Sequence, residues 1–434
     1  MNELLLIAIF ISILFLFLGT GVWVALSLTG VAAIGLALFS SRPVGAAMAT
    51  TIWGSASSWS LTALPLFIWM GEILFRTRLS ENLFRGLTPW MQRLPGGLLH
   101  VNIVGSAIFA AISGSSAATV ATVGKMSIPE LRKRQYPENM IIGTLAGAGT
   151  LGLLIPPSIT LIIYGVTVNE SIAKLFVAGV LPGIGLALLF MGYVVIRALV
   201  RGERTLDETR YSFGQKLRAL MQLLPVICLI GAVMGSIYAG LATATEAAVL
   251  GVVGGLGLSA LQGSLTRASF IDSLLGATRT TSMIAFILAG STFLALTMGF
   301  TGLPRALAEW IGGMALSPFA LIAVLTGFYI VLGCFLDGIS SVVLTMAVIE
   351  PLVRTAGFDM IWFGIYLMIV VEMAQITPPI GFNLFVLQGM TGRDMGFIAR
   401  AAFPMFLIMV LAVAILVAVP DIATWLPENM RSRP

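Results

Sequence analysis

The sequence predicts an all-α polytopic membrane protein made of two inverted structural repeats. Each repeat carries a re-entrant hairpin and a helix broken at a Pro-Pro pair. Composition is the first reason: the chain is 58% hydrophobic and 10% charged over 434 residues, with a mean hydropathy of +1.02. A soluble chain of that length needs far more charge to cover its surface. The second reason is a set of polar breaks inside apolar runs. Ile112-Ser113-Gly114-Ser115-Ser116-Ala117 and Gly152-Leu153-Leu154-Ile155-Pro156-Pro157-Ser158 form one pair. Leu336-Asp337-Gly338-Ile339-Ser340-Ser341 and Ile376-Thr377-Pro378-Pro379-Ile380-Gly381 form another. Irregular backbone at membrane depth is tolerated only where protein buries it or where it lines a watery site. The third reason is period: Pro129, Pro156, Pro157 and Pro182 map onto Pro351, Pro378, Pro379 and Pro404, each shifted by 222 residues. Self-similarity at a fixed shift marks a repeat, and broken helices at matching positions mark a carrier's binding site.

Leu4 to Leu18 and Val22 to Phe39 read as two spans joined at Gly19-Thr20-Gly21. Residues 44–58, with Trp53 and Trp59, read as an interfacial segment, because tryptophan favours the headgroup level. Ala63 to Phe75 is the next span. Leu98 to Val123 is about 26 residues with its break near the middle, so at about 1.5 Å per residue each arm is too short to cross, and a hairpin fits better. Met140 to Val168 crosses through the first Pro-Pro break, and Ser171 to Val200 returns. Arg197 to Arg218 is a basic loop. Leu220 to Tyr238 and Ala247 to Leu261 form two further spans. Thr266 to Thr278 reads as an amphipathic connector before the Thr280 to Phe300 span. Leu303 to Met314 is a short amphipathic piece, Pro318 to Val353 the second hairpin, Trp362 to Gln388 the second broken helix and Phe403 to Val419 the last span.

This divides the chain into scaffold helices with an interfacial segment (1–60) and a first repeat (61–200) holding hairpin 98–123 and broken helix 140–168. A basic loop with scaffold helices and connector (201–279) follows, then a second repeat (280–434) holding hairpin 318–353 and broken helix 362–388. The segments between spans that this topology makes cytoplasmic hold 18 of the 24 basic residues. The positive-inside rule then sets both termini in the periplasm and opens the two hairpins to opposite faces. No cleavable signal peptide is expected, since the first apolar stretch lacks a basic leader and runs into a second span.

Asp337, at the second hairpin tip, is the sharpest single residue. A carboxylate at the bilayer centre costs on the order of 3 kcal/mol and is by default a functional candidate; the bland alternative is that it serves local backbone. Hard cations such as Na⁺ take oxygen ligands, including carbonyls freed where a helix unwinds. The candidate sodium positions are Ser113, Ser115, Gly152, Ile155 and Pro157 in the first half, and Asp337, Ser340, Ser341, Ala374, Thr377 and Pro379 in the second. Helix N-termini at Ser116 and Ser158 turn positive dipole ends to the same depth and suit an anion. The candidate substrate positions are Ser115, Ser116, Ser158, Gly338 and Asn383. Glu372, five residues before Thr377 in an apolar run, invites an ion or proton role. Thr245 reads as a helix N-cap with Glu246 in the first turn. Cys228 and Cys334 are too few for a disulfide framework, and His100 is the only histidine, which leaves no histidine-based metal cluster.

Five of these stretches together resemble one family. Ala110 to Ala117, Leu154-Ile155-Pro156-Pro157-Ser158-Ile159, Tyr238 to Ala248, Gly357 to Gly364 and Ile376 to Gly381 are similar to the signature segments of the large membrane subunit, DctM type, of tripartite ATP-independent periplasmic (TRAP) transporters. The resemblance covers essentially the whole chain. It departs at Ala244 and at Met346-Ala347, where the family favours proline; both affect helix geometry more than ligand chemistry. The resemblance implies a sodium-coupled importer of carboxylate-bearing solutes such as C4-dicarboxylates, sugar acids or sialic acid. It also implies delivery by a periplasmic substrate-binding protein, a separate small four-helix subunit (DctQ type), an inner-membrane location in contact with lipid, and elevator-type motion of a transport unit against a scaffold. Na⁺ is the one coupling ion implied, with no organic cofactor. A stand-alone ion-coupled organic anion carrier of the same inverted-repeat type is the alternative. An intramembrane hydrolase is disfavoured: Ser115 has only His100 as a base, fifteen residues away, and no His-Glu-x-x-His motif occurs.

Overall fold

In the computed structural model the described residues are 3–76, 79–201, 211–302, 317–334, 336–378 and 381–430. Among them the chain is helical throughout, in 21 α-helices joined by short turns and one 3₁₀ turn. Five helices are long and apolar enough to cross a membrane, or up to eight if each bent pair is one span.

Helices α1 (Glu3–Gly19) and α2 (Val24–Phe39) reverse at Gly21, whose φ of +80° a side chain would resist. Helix α3 (Val44–Ala56) buries no residue and leaves Trp53 exposed, and Trp59, in the 3₁₀ turn that follows, is exposed as well. Helix α4 (Ala63–Phe75) follows, then α5 (Leu79–Met91). Sequence reading left α5 as an arginine-bearing connection. It is helical because Leu83 and Leu87 lie one turn apart and are both buried.

Helices α6 (Leu99–Ser113) and α7 (Ser116–Lys133) are the first hairpin. Its second arm runs ten residues past the expected end at Val123, because Ile128 and Leu131 continue the buried stripe and Pro129 is accommodated within the helix. Helices α8 (Glu138–Gly149), α9 (Leu151–Leu154) and α10 (Ile159–Thr167) are the first broken helix, bent by 42° at the Pro-Pro step. Helix α11 (Ile172–Arg201) returns, and α12 (Phe213–Met221) and α13 (Leu224–Tyr238) meet at 55°.

Helix α14 (Ala244–Leu261) starts earlier than expected. Thr243, not Thr245, is its N-cap: the Thr243 hydroxyl accepts the Glu246 N–H at 3.3 Å while the Glu246 carboxylate accepts the Thr243 N–H at 2.8 Å. That reciprocal box satisfies two otherwise orphaned donors, which a cap at Thr245 would not. Helix α15 (Arg267–Thr301) is a second correction. The expected connector and the span after it are one helix of 35 residues, about 52 Å long. Gly276 does not end it, because that glycine lets the Glu72 carboxylate approach closely.

Helices α16 (Pro318–Gly333) and α17 (Gly338–Thr355) are the second hairpin. At 18 residues α17 is long enough to cross by length and composition, so arm length alone does not make this hairpin re-entrant. Helices α18 (Met360–Gln375) and α19 (Phe382–Thr391) flank the second break, followed by α20 (Met395–Ala418) and a short unforeseen α21 (Asp421–Glu428). Pro379 and the expected Leu303–Met314 helix lie outside the described residues. The 222-residue shift reappears in helix starts: Ser116 and Gly338 begin α7 and α17, and Glu138 and Met360 begin α8 and α18.

Two packing units emerge. Helices α2, α4, α14 and α15 lie against one another, with Gly290 admitting the Ala25 carbonyl and the Thr297 hydroxyl donating to the Ala32 carbonyl at 3.2 Å. Helices α6 to α11 and α16 to α20 form the second unit. The two touch where Gly71 admits the Ile112 carbonyl and where the buried Ser291 hydroxyl donates to the Val343 carbonyl at 2.6 Å.

Candidate functional site

At the first hairpin tip the chain leaves α6 through Gly114, at φ +57°, and Ser115 then adopts an extended conformation. The Ser115 hydroxyl caps α7 by accepting the Ala118 N–H at 3.5 Å. The Ser113 hydroxyl donates to the Ser115 carbonyl at 3.2 Å and lies 2.9 Å from the Thr119 hydroxyl. The tip rests on the first Pro-Pro break. A Cβ on Gly114 would sit 3.1 Å from the Ile159 nitrogen and 3.3 Å from the Pro157 carbonyl oxygen. A Cβ on Gly152 would sit 2.5 Å from the Ser116 nitrogen. Ser158, fully buried, caps α10 by accepting the Leu161 N–H at 3.4 Å.

The second tip is built the same way from different side chains. Asp337 is the N-cap of α17, its Oδ2 accepting the Ile339 N–H at 3.1 Å and the Ser340 N–H at 3.5 Å. It stands 222 residues from Ser115 and does the same backbone work, and its side chain is exposed. This tip too rests on its own break. The Gln375 amide donates to the Leu336 carbonyl at 3.2 Å, and Cys334 Sγ lies 3.4 Å from the Pro378 carbonyl oxygen. Gly333 admits the Ala374 side chain, and the Thr377 hydroxyl is spent on the Met373 carbonyl at 2.6 Å.

The halves join through a carboxylate. Glu372, fully buried on α18, accepts the Leu153 N–H at 3.2 Å on Oε1. The Ser116 side chain faces the same carboxylate, and Oε2 makes no geometric hydrogen bond among the described residues. Gly338, at the second tip, packs on the Leu153 side chain, so both tips, the first break and the end of α18 that leads into the second break meet at the Gly152–Leu153 step. Ser340 and Ser341 are buried, the Ser341 hydroxyl unpaired.

Asn383 is also fully buried, with neither amide atom partnered among the described residues. Its helix α19 packs on α7, with the Met390 thioether against Gly124, and Arg132 and Arg393, beyond Met390 and Gly124, both reach Glu138. The two helices therefore run in parallel, and the register carries Asn383 up toward the first tip. Every sodium and substrate position named from sequence, except Pro379, thus falls on one of the four elements that meet here. Sequence reading missed Leu153, Gln375 and Cys334, whose contributions are a backbone N–H, an amide and a thiol on apolar helices and carry no pattern of their own.

An all-helical, strongly apolar chain whose hairpin tips and interrupted helices close on a shared buried polar centre is a multi-pass membrane protein of the transporter class. Comparison with solved structures agrees on the fold: the YdaH transporter of Alcanivorax borkumensis, whose structure is described as revealing an unusual topology, superposes with a TM-score of 0.65 over 96% of this chain and 98% of its own, at 13% identity. The chain belongs to the DctM component family of tripartite ATP-independent periplasmic transporters, whose model matches residues 10–422. It is 31% identical to the C4-dicarboxylate TRAP transporter large permease protein DctM of Pseudomonas aeruginosa, over 93% of this chain and 94% of that one. It is 32% identical to the 2,3-diketo-L-gulonate large permease protein YiaN of Escherichia coli (86% and 88% covered) and 29% identical to the sialic acid large permease protein SiaM of Vibrio cholerae (94% and 95% covered). It is a TRAP large permease subunit and not an enzyme.

Proposed function

We propose that this permease imports a small carboxylate-bearing solute by sodium symport, with a periplasmic binding protein delivering the solute and a separate small four-helix subunit bracing the scaffold. The observation that carries the reading is that each hairpin tip rests on its own Pro-Pro break, and that both tips and the buried Glu372 of α18 meet at the Gly152–Leu153 step. Such a centre offers what a hard monovalent cation needs: hydroxyl and carbonyl oxygens of Ser113, Ser115, Gly152, Ile155 and Pro157 on one side, and on the other the Asp337 carboxylate with oxygens of Ser340, Ser341, Ala374 and Thr377. Pro379 is proposed with the second set. It also offers what an anion needs: helix starts at Ser116 and Gly338, the Ser158 cap, and the unspent amide of Asn383.

The substrate class follows the relatives, which are named for C4-dicarboxylate, 2,3-diketo-L-gulonate and sialic acid. The proposed frame is an inner-membrane chain with inverted repeats and both termini periplasmic. It draws support from contacts that sort the charged residues to two ends: Arg132, Glu138 and Arg393 gather at one, and Arg354, Glu170 and Glu350 at the other. The unit of α6 to α11 with α16 to α20 is the proposed elevator, moving against α2, α4, α14 and α15. The second reading, a stand-alone carrier, shares every one of these features.

Uptake into proteoliposomes holding this chain and its small subunit separates the two. A panel of labelled organic acids is offered with and without an inward Na⁺ gradient and the candidate binding protein. The proposal expects uptake only when Na⁺ gradient and binding protein are both present. Uptake with Na⁺ alone would favour the stand-alone carrier.

A further inference from the structure

Glu372 does something that neither the ion positions nor the substrate positions account for. It is a fully buried carboxylate with no basic partner among the described residues, in a segment where an isolated charge is costly. Yet its single hydrogen bond does not go to its own half. Oε1 takes the Leu153 N–H, 219 residues away, and the Ser116 side chain faces the same group. Leu153 is the neighbour of Gly152, and Ser116 the neighbour of Ser115, so both contacts land beside the first-half candidate ion positions. On its own helix Glu372 stands two residues before Ala374 and five before Thr377, the second-half positions. The backbone around Leu153 has no slack: Gly152 packs on the Ser116 nitrogen and Gly338 packs on the Leu153 side chain, both closer than a Cβ tolerates. A shift of a few tenths of an ångström at either break must pass through the Leu153–Glu372 contact to the other.

We infer that Glu372 is a positioning residue that couples the two ion-binding halves, acting through its hydrogen bond to the Leu153 N–H rather than through its charge. Occupancy of one half fixes the Gly152–Leu153 step, Glu372 carries that constraint to α18, and the second half binds more tightly. Coupling of this kind is reciprocal, and with two linked sites a Hill coefficient up to 2 is available. The inference rests on the sodium-coupled reading above.

The test is equilibrium binding of radiolabelled Na⁺ to the purified full-length permease, so that no transported substrate is needed. Two variants separate the hydrogen bond from the charge. Glu372→Gln keeps the arm length and an oxygen for the Leu153 N–H but removes the charge. Glu372→Asp keeps the charge but shortens the arm by one methylene, which takes the oxygen out of reach of Leu153. The expected result is a Hill coefficient of about 2 for the unmodified protein, retained in Glu372→Gln and reduced to about 1 in Glu372→Asp. Loss of cooperativity in Glu372→Gln, which keeps the tie and lacks only the charge, would overturn the inference. So would unchanged cooperativity in Glu372→Asp, or independent binding in the unmodified protein. A permease that binds no Na⁺ at all would instead bring down the sodium reading and this inference with it. If Glu372→Asp folds poorly, Glu372→Met, which keeps the length of the arm but offers Leu153 no oxygen, takes its place with the same expected Hill coefficient of about 1.

Discussion

Replacing Gly152 by alanine should destabilise the permease. A Cβ at that position would lie 2.5 Å from the Ser116 nitrogen and 2.6 Å from both the Ser115 carbonyl carbon and the Ser116 Cα. All three are backbone atoms, so no side-chain rotation relieves the clash. Ordinary contact begins near 3.4 Å, so the first hairpin tip and the first break must separate by about 1 Å, against a tightly packed interior. Overpacking of this kind costs about 1–3 kcal/mol. The control is Gly192→Ala on α11, where the new methyl meets nothing within 4 Å; there the better helix propensity of alanine leaves stability unchanged or raises it by about 1 kcal/mol. Thermal unfolding of both variants in the same detergent is the assay, read as the shift in midpoint. If Gly152→Ala melts with Gly192→Ala, the tip does not rest on the break and the proposed site loses its first half.

The remaining expectations concern caps and charge. Asp337→Asn preserves the N-cap of α17, since asparagine caps as well as aspartate, but removes the carboxylate. It should therefore keep its melting point and lose apparent Na⁺ affinity; unchanged Na⁺ activation of uptake would remove Asp337 from the ion site. Asp337→Ala should in addition lose about 1 kcal/mol in thermal unfolding. Thr243→Ala should cost about 1 kcal/mol by opening the capping box of α14, with Na⁺ dependence intact, whereas Thr245→Ala should lie within about 0.5 kcal/mol of the parent.

Much of this architecture was legible because its determinants are local. The α4 span from Ala63 to Phe75 is an apolar run with Glu72 as its one charged residue, and the two prolines at 156 and 157 break a helix wherever they stand. The four elements of the site were legible because each carries a glycine, serine or proline where an apolar helix should continue. What sequence could not give was settled by tertiary contact. Asp337 has the composition of a buried ligand, yet it lies exposed as a cap, because the helix start at Gly338 leaves two N–H groups that need an acceptor. The change from an amphipathic stretch (Thr266 to Thr278) to an apolar one (Thr280 to Phe300) reads as two elements, but one helix runs through both, with Gly276 admitting the Glu72 carboxylate. Thr243 and Thr245 offer equal propensity as caps, and only the reach of Glu246 back to residue 243 decides between them. Glu372 was visible as a carboxylate in an apolar run, but its partner is a backbone N–H 219 residues away, which no side-chain pattern records.

Na⁺-dependent stabilisation of the purified permease tests the central claim, that the meeting point of the two halves is an ion site in this chain itself. The thermal midpoint is measured in NaCl, KCl and choline chloride at equal ionic strength, without substrate or partner proteins. A ligand that binds only the folded state stabilises by about 2.7 kcal/mol at one hundred times its Kd, so a site of this kind predicts a midpoint that rises with NaCl and stays level in the other two salts. Identical midpoints in all three salts across the range would contradict a sodium site built from these hairpin tips and broken helices.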